Sequence, residues 1–216
     1  VMTYLGTLPG GNFSFAKDIN NRGQIVGSSD SGASTQHAVL WEDGQITDLG
    51  TLPGGTFSTA LAINNRGQIV GSSTNAAGET HAVLWEDGVI TDLGVPPGGT
   101  SSSAVDINNR GQIVILSQNG SGVTRSFLWE DGALTDLGVM PGATFTIARA
   151  INDRGQVAGD SFGAFLWEKG RMIDLEELEQ PGSSTAHGIN NRGEVVGAGS
   201  TDRIRFTRPA VLWTKR

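Results

Sequence analysis

The sequence contains no cysteine, so disulfides and thiol chemistry are excluded and the redox compartment is left open. Basic residues are in the minority, 15 Lys and Arg against 22 Asp and Glu, for a net charge of −7. That balance argues against nucleic acid or an anionic membrane as a partner. No apolar run approaches the length of a membrane span, and no signal-peptide pattern is present. No segment of adequate length shows helical periodicity. Aromatic residues make up only 6% of the chain, yet all five tryptophans occupy one position of a repeated unit: Trp41, Trp85, Trp129, Trp167 and Trp213. Glycine, at 32 residues, is abundant and recurs at turn positions, which reads as many tight turns and not as disorder.

What the chain does have is a repeat. Residues 48–91 are copied at 4–47, 92–135, 136–173 and 174–216, with a period of 44 through the first three copies and a shorter fourth. Such a period marks a repeat architecture, in which no copy can bury its apolar face alone. Within one copy, Ser58–Asn64 and Gln68–Ser73 flank an Asn-Arg-Gly turn and read as a hairpin. His81–Glu86 and Val89–Leu93 flank Asp87-Gly88 and read as a second hairpin. Each copy is thus a four-stranded antiparallel meander. Five of them arranged radially make an all-β, five-bladed β-propeller, a single domain over residues 1–216.

The two ends add an expectation of closure. The fifth copy stops after its third strand, Ala210–Trp213, and Val1–Leu5 aligns with the fourth strand of the other copies. Residues 1–6 would then supply the outer strand of the last blade and leave no open edge. The innermost strand carries a kept alanine at Ala16, Ala60, Ala104, Ala148 and Ala186, and the five tryptophans fall in the core between blades.

HAVLWEDG at His37–Gly44 and His81–Gly88, together with INNRGQIVG at Ile19–Gly27 and Ile63–Gly71, resembles the HAF-repeat family. These repeats occur in bacterial, largely extracellular proteins and are named for a His-Ala-Phe core. Here Val replaces the Phe in copies one, two and five, and the His stands in only two copies. The resemblance implies a secreted or cell-surface module. It implies no established reaction and carries over no catalytic residue.

Three groups of residues carry candidate chemistry. Arg22, Arg66, Arg110, Arg154 and Arg192 sit in the kept Asn-Asn/Asp-Arg-Gly turn. They form either an anion-binding ring of guanidiniums or a structural ring paired with carboxylates of the neighbouring Glu-Asp turns, and the pairing is favoured. Asp18 and Asp106 share one inner-strand position, as a hydrolase's axial acids would. Beside them Lys17, Arg149 and His187 break the symmetry, and His37 and His81 lie on another strand from His187, so no His-based metal site is expected. Phe13, Phe57 and Phe145 follow three connectors on the opposite face, where a shallow pocket per blade would suit a sugar, or where they seal the space between blades.

The expected function is a non-enzymatic extracellular repeat module that binds a carbohydrate or another protein. A hydrolase or lyase with an axial carboxylate pocket, and a scaffold without a ligand, are the alternatives. No cofactor, no nucleic acid and no membrane insertion are expected, and a ring closed on itself would be a monomer.

Overall fold

The computed structural model describes residues 1–32, 35–175, 184–199 and 209–214. The connector at 178–182 and the loop at 201–208 lie outside the described residues, as does part of the loop at 30–36. The strands make five sheets, one to a repeat, and no helix is present among the described residues. The chain divides into two compact units, Val1–Gly111 and Gln112–Arg216.

In the N-terminal unit the first sheet runs β1 (Ser14–Ile19), β2 (Ile25–Asp30), β3 (Gln36–Glu42) and β4 (Gln45–Gly50), each strand antiparallel to the next. The second repeats this order in β5 (Ser58–Ile63), β6 (Ile69–Thr74), β7 (Thr80–Glu86) and β8 (Val89–Gly94). β9 (Ser101–Ile107) completes the unit. The C-terminal unit opens with β10 (Ile113–Gln118), β11 (Thr124–Glu130) and β12 (Ala133–Asp136). Its fourth sheet is β13 (Ile147–Ile151), β14 (Val157–Asp160), β15 (Ala164–Glu168) and β16 (Arg171–Asp174). Its last is β17 (Thr185–Ile189), β18 (Val195–Ala198) and β19 (Ala210–Trp213).

The outer hairpins follow from two residues. Asp43 and Gly44 have φ of 51° and 75°, and Asp87 and Gly88 have 51° and 76°. Positive φ at both central positions defines a type I′ turn, whose twist matches the strands it joins. Asp tolerates that region better than most side chains.

The inner hairpins are bulged. Register slips between Ala16 and Asp18, between Ala60 and Ala62, between Ala148 and Ala150, and between Ala186 and Gly188. The extra residues are Lys17, Leu61, Arg149 and His187. A bulge bends the strand and re-aims the side chain that has no partner. Three of these four side chains are exposed. The glycine across from the bulge is obligatory, because a Cβ on Gly71 would stand 2.0 Å from the Thr59 carbonyl oxygen.

Successive sheets pack face to face. In the N-terminal unit Val26, Ala38 and Leu40 of the first sheet meet Ala60, Ile63, Ile69 and Trp85 of the second. In the C-terminal unit Ala158, Ala164 and Leu166 meet Ala186, Ile189, Val195 and Trp213. Ala60 and Ala186 of the kept alanines lie in these seams, where a larger side chain would hold the sheets apart. Each Val or Ile so buried contributes about 1.5–3 kcal/mol. Buried serines bind the seam. Ser58 Oγ accepts the Ala38 N–H at 2.8 Å and donates to the Gly50 carbonyl at 2.7 Å, and Ser102 repeats this with Ala82 (2.7 Å) and Gly94 (2.6 Å).

The expected completion of the last blade by residues 1–6 is not shown. Val1–Leu5 make no strand, and Val1, Met2 and Tyr4 are exposed. The last sheet has three strands among the described residues. Leu5 packs with Leu8 against Val39 and Trp41 of the first sheet.

Gly71→Ala is therefore expected to destabilise the protein by about 3 kcal/mol or more, since the clash is with backbone. Urea unfolding measures the loss. A change below 1 kcal/mol, on the order of an ordinary surface substitution, would contradict the close approach described.

Candidate functional site

The site is built on the turn between the first two strands of each repeat. In Asn64-Asn65-Arg66-Gly67-Gln68, the Asn64 side-chain oxygen accepts the N–H groups of Arg66 (3.0 Å) and Gln68 (3.1 Å). This is the local capping at which asparagine excels. Its Nδ2 donates to Gln68 Oε1 (2.7 Å) and to the carbonyl of Asn108 in the next repeat (3.0 Å). Asn20 does the same one repeat earlier, reaching Gln24 Oε1 (2.6 Å) and the Asn64 carbonyl (3.0 Å). In the C-terminal unit Asn152 reaches the Asn190 carbonyl at 2.9 Å. The second asparagine of the turn forms a parallel rung: Asn21 N–H donates to Asn65 Oδ1, and Asn65 N–H to Asn109 Oδ1, each at 2.9 Å.

The arginines pair differently from the expectation. Arg22 donates Nε (3.0 Å) and Nη2 (2.6 Å) to Gln24 Oε1, and Arg66 donates both groups to Gln68 Oε1 (3.0 and 2.5 Å). Their acceptor is a buried amide and not a carboxylate. The carboxylate of the Trp-Glu-Asp turn is engaged one step further out, with Gln68 Nε2 donating to Glu86 Oε1 at 2.8 Å. Gln112 with Glu130 (2.9 Å) and Gln156 with Glu168 (3.0 Å) repeat that bond in the C-terminal unit.

In the fifth repeat the ring arginine does meet an acid. Arg192 pairs with Glu194 at 2.7 Å, where Glu stands in place of Gln and Thr214 in place of the outer Glu. With no acid to receive an amide N–H, a carboxylate serves as acceptor equally well. The hydrogen bonds from Asn190 and then Arg192 hold the Glu194 carboxyl below its ordinary value of 4.5.

These turns and the edge of the first sheet enclose a cleft of about 340 Å³ between the first two sheets. Arg22, Arg66, Glu86 and Asp87 line it. Thr47 and Asp48 come from β4, and Leu40, Leu49 and Trp85 supply apolar wall. Asp48 is held in place: Oδ2 accepts from His37 Nδ1 at 2.8 Å and Oδ1 from the Gly50 N–H at 2.8 Å. His81 with Asp92, and Arg125 with Asp136, repeat the pair, which explains the His before the kept Ala. Trp85 is buried in the seam, and its Nε1 has no hydrogen-bond partner there. A buried donor left unpaired costs about 1–3 kcal/mol.

The other residues singled out in the sequence fall elsewhere. Asp18 accepts the Ile19 N–H (2.8 Å) on one oxygen and the Ile63 N–H (2.8 Å) on the other, so it clips the first sheet to the second. Asp106 accepts the Ile107 N–H at 2.8 Å. Arg149 pairs with Asp160 at 2.7 Å, His187 Nε2 lies 3.2 Å from the Thr185 hydroxyl, and Lys17 is exposed. Phe13 and Phe57 are exposed and Phe145 is half-buried; Phe57 N–H donates to Thr74 Oγ1 at 3.1 Å. None of these lines the cleft. Among the described residues no three His, Cys, Asp or Glu side chains cluster as metal ligands would.

The glutamine hub was not singled out in the sequence. Its signal was there, an amide-bearing residue kept after Arg-Gly in four copies and exchanged for Glu in the one copy that lacks the outer acid.

No protein-family model and no curated protein matches the sequence. Solved structures do. TolB from Acinetobacter baumannii is similar at a TM-score of 0.56 and 12% identity over 94% of this chain. This chain spans 55% of the TolB chain. A puromycin-hydrolyzing peptidase of Mycobacterium tuberculosis is similar at 0.55 and 14% identity, covering 89% of this chain and 33% of the other. The SapL1 lectin, solved with alpha methyl fucoside, reaches 0.42 at 12% identity, over 92% of this chain and 80% of its own. The architecture is that of propeller-type proteins. At such identities the likeness concerns fold and leaves activity open.

Two outcomes follow. Asn64→Ala removes a buried side chain with four hydrogen bonds, three of them within its turn, and is expected to cost about 2–4 kcal/mol in urea unfolding. A cost below 1 kcal/mol would leave the ladder without a structural role. Glu194, with its lowered folded value, adds stability above 4.5 that is lost as pH falls through the folded value. NMR titration is expected to place its midpoint below 4.5, and Asn190→Ala to raise it.

Proposed function

We propose that the chain is a non-enzymatic binding module whose cleft takes a small, neutral, hydroxyl-rich ligand of the carbohydrate class. The observation that carries the reading is the lining of the cleft, which gathers the guanidiniums of Arg22 and Arg66 and the carboxylates of Asp48, Glu86 and Asp87 around the apolar side chains of Leu40, Leu49 and Trp85. Charge selects the class. Two guanidiniums stand against the three carboxylates of Asp48, Glu86 and Asp87, so the cleft offers no net attraction to an anion. A ligand bearing several hydroxyls can donate to the carboxylates and accept from the arginines at once. The apolar faces of Leu40 and Leu49 suit the C–H surface of a sugar ring.

Location at the cell surface, as the HAF-repeat resemblance implies, is part of the proposal and suits a glycan ligand.

A glycan array on the purified protein, followed by calorimetry on the best ligand, tests the reading. Thr47 is exposed at the cleft, and Thr47→Trp is expected to abolish binding while leaving the melting temperature unchanged. Absence of any bound glycan, or binding indifferent to Thr47→Trp, would overturn the proposal.

A further inference from the structure

The turn that leads into the innermost strand recurs along the chain. The N–H groups of Gly11, Gly55 and Ala143 each donate to the carbonyl three residues earlier, at 2.9, 2.9 and 3.0 Å. The two amides that follow this turn are not treated alike. In the first repeat Asp30 Oδ1 accepts the N–H groups of Asn12 and Phe13, both at 2.7 Å. In the second Thr74 Oγ1 accepts those of Thr56 and Phe57, at 3.0 and 3.1 Å. In the fourth the aligned residue is Phe162, whose side chain holds no acceptor. The N–H groups of Thr144 and Phe145 have no acceptor among the described residues.

A one-residue exchange accompanies the lost cap. A Cβ at Gly11 would stand 2.1 Å from the Asp30 carbonyl oxygen, and one at Gly55 would stand 1.9 Å from that of Thr74. The fourth repeat carries Ala143 at this position, so the Phe162 carbonyl cannot take the equivalent place. The chain turns away instead. Phe162 has a φ of 63°, in a region that bulky side chains rarely adopt, and is 53% exposed. Ser161 donates its hydroxyl to the Phe145 carbonyl at 2.7 Å, which keeps Phe162 next to the segment that bears the two amides. Arg149 is anchored through Nε to Asp160 at 2.7 Å, two residues before Phe162.

We propose that the uncapped amides of Thr144 and Phe145, together with the ring of Phe162, bind a small carboxylate that carries an apolar or aromatic body. The chain already contains the bond type, because the Asp30 carboxylate fills the equivalent place in the first repeat with two short bonds. Successive backbone N–H groups form a concavity for anions, and capture of a carboxylate there is an established mode of recognition. Its hydrogen bonds are charge-assisted and stronger than those to a neutral oxygen. The exposed ring supplies apolar surface for the rest of the ligand. Arg149 adds positive charge to this end of the sheet, and the nearby acid Asp160 is already closed onto it. The site is separate from the cleft between the first two sheets, whose lining includes none of these residues.

The test follows the amide resonances of the isotope-labelled protein during titration, with sodium chloride at matched ionic strength as reference. Sodium benzoate is expected to give saturable shifts at Thr144 and Phe145. It is expected to bind roughly tenfold tighter than sodium acetate, the worth of one aromatic contact. Phe162→Gly suits the local φ and is expected to bring benzoate down to the level of acetate. Phe162→Asp supplies an internal carboxylate in the manner of Asp30. It is expected to move the same two resonances without ligand and to abolish their response to both acids. Absence of saturable shifts at Thr144 and Phe145 in the parent protein, or a response to benzoate that Phe162→Asp leaves intact, would overturn the proposal.

Discussion

The structure depends on one buried amide. The kept asparagine at the head of each inner turn spends its oxygen on its own turn and one N–H on its own glutamine. Where the bonds are resolved within a unit, its second N–H goes to the carbonyl of the next repeat. A buried amide has four bonding positions, and three of them are met locally. The fourth is met only when another repeat stands in register beside the first. Leaving that donor dry would be costly, so the same residue that shapes a turn also enforces a neighbour. Cooperativity between repeats is thus written into a side chain and not only into the apolar seam.

The glutamine hub converts this ladder into a site. By taking the asparagine N–H and the arginine on one oxygen, Gln68 fixes the Arg66 guanidinium in the lining of the cleft while its own N–H group holds Glu86. The arginine then lies across the glycine of the following turn, where a Cβ on Gly111 would stand 2.7 Å from Arg66 Nη2. Glycine at that position serves two demands at once, a φ of 86° and the close passage of a guanidinium. An arginine bonded to a neutral amide keeps more of its charge available than one closed onto a carboxylate. This is why the cleft retains hydrogen-bonding capacity despite being lined by satisfied groups.

Much of the fold was legible because it is local. The strands at Ser58–Ile63, Ile69–Thr74, Thr80–Glu86 and Val89–Gly94 lie within a residue or so of the segments that alternation and turn residues mark out. The Asp-Gly turns needed only two residues to be recognised. The bulge was not legible, because Lys17, Leu61, Arg149 and His187 read as an ordinary variable position on a continuous strand. Nor were the roles of Asp18 and Gln68, since the groups they bind lie 45 residues away in Ile63 and 18 away in Glu86. An acid on an inner strand resembles a catalytic group in sequence. Only the geometry reveals that backbone amides of two sheets have claimed both its oxygens.

The same repetition bears on the end segment Val1–Leu5. A fragment resembling a fourth strand could pair with any third strand of the set, so similarity alone does not choose its partner. Leu5 with Leu8 reproduces the contact that Leu49 and Leu52 make in the next seam, against the tryptophan of the sheet that follows in sequence. Leu49 makes that contact from a strand already paired with β3. Packing against the following sheet and strand pairing are thus separate roles of one short segment. The residues that differ between copies are then left to carry whatever is specific.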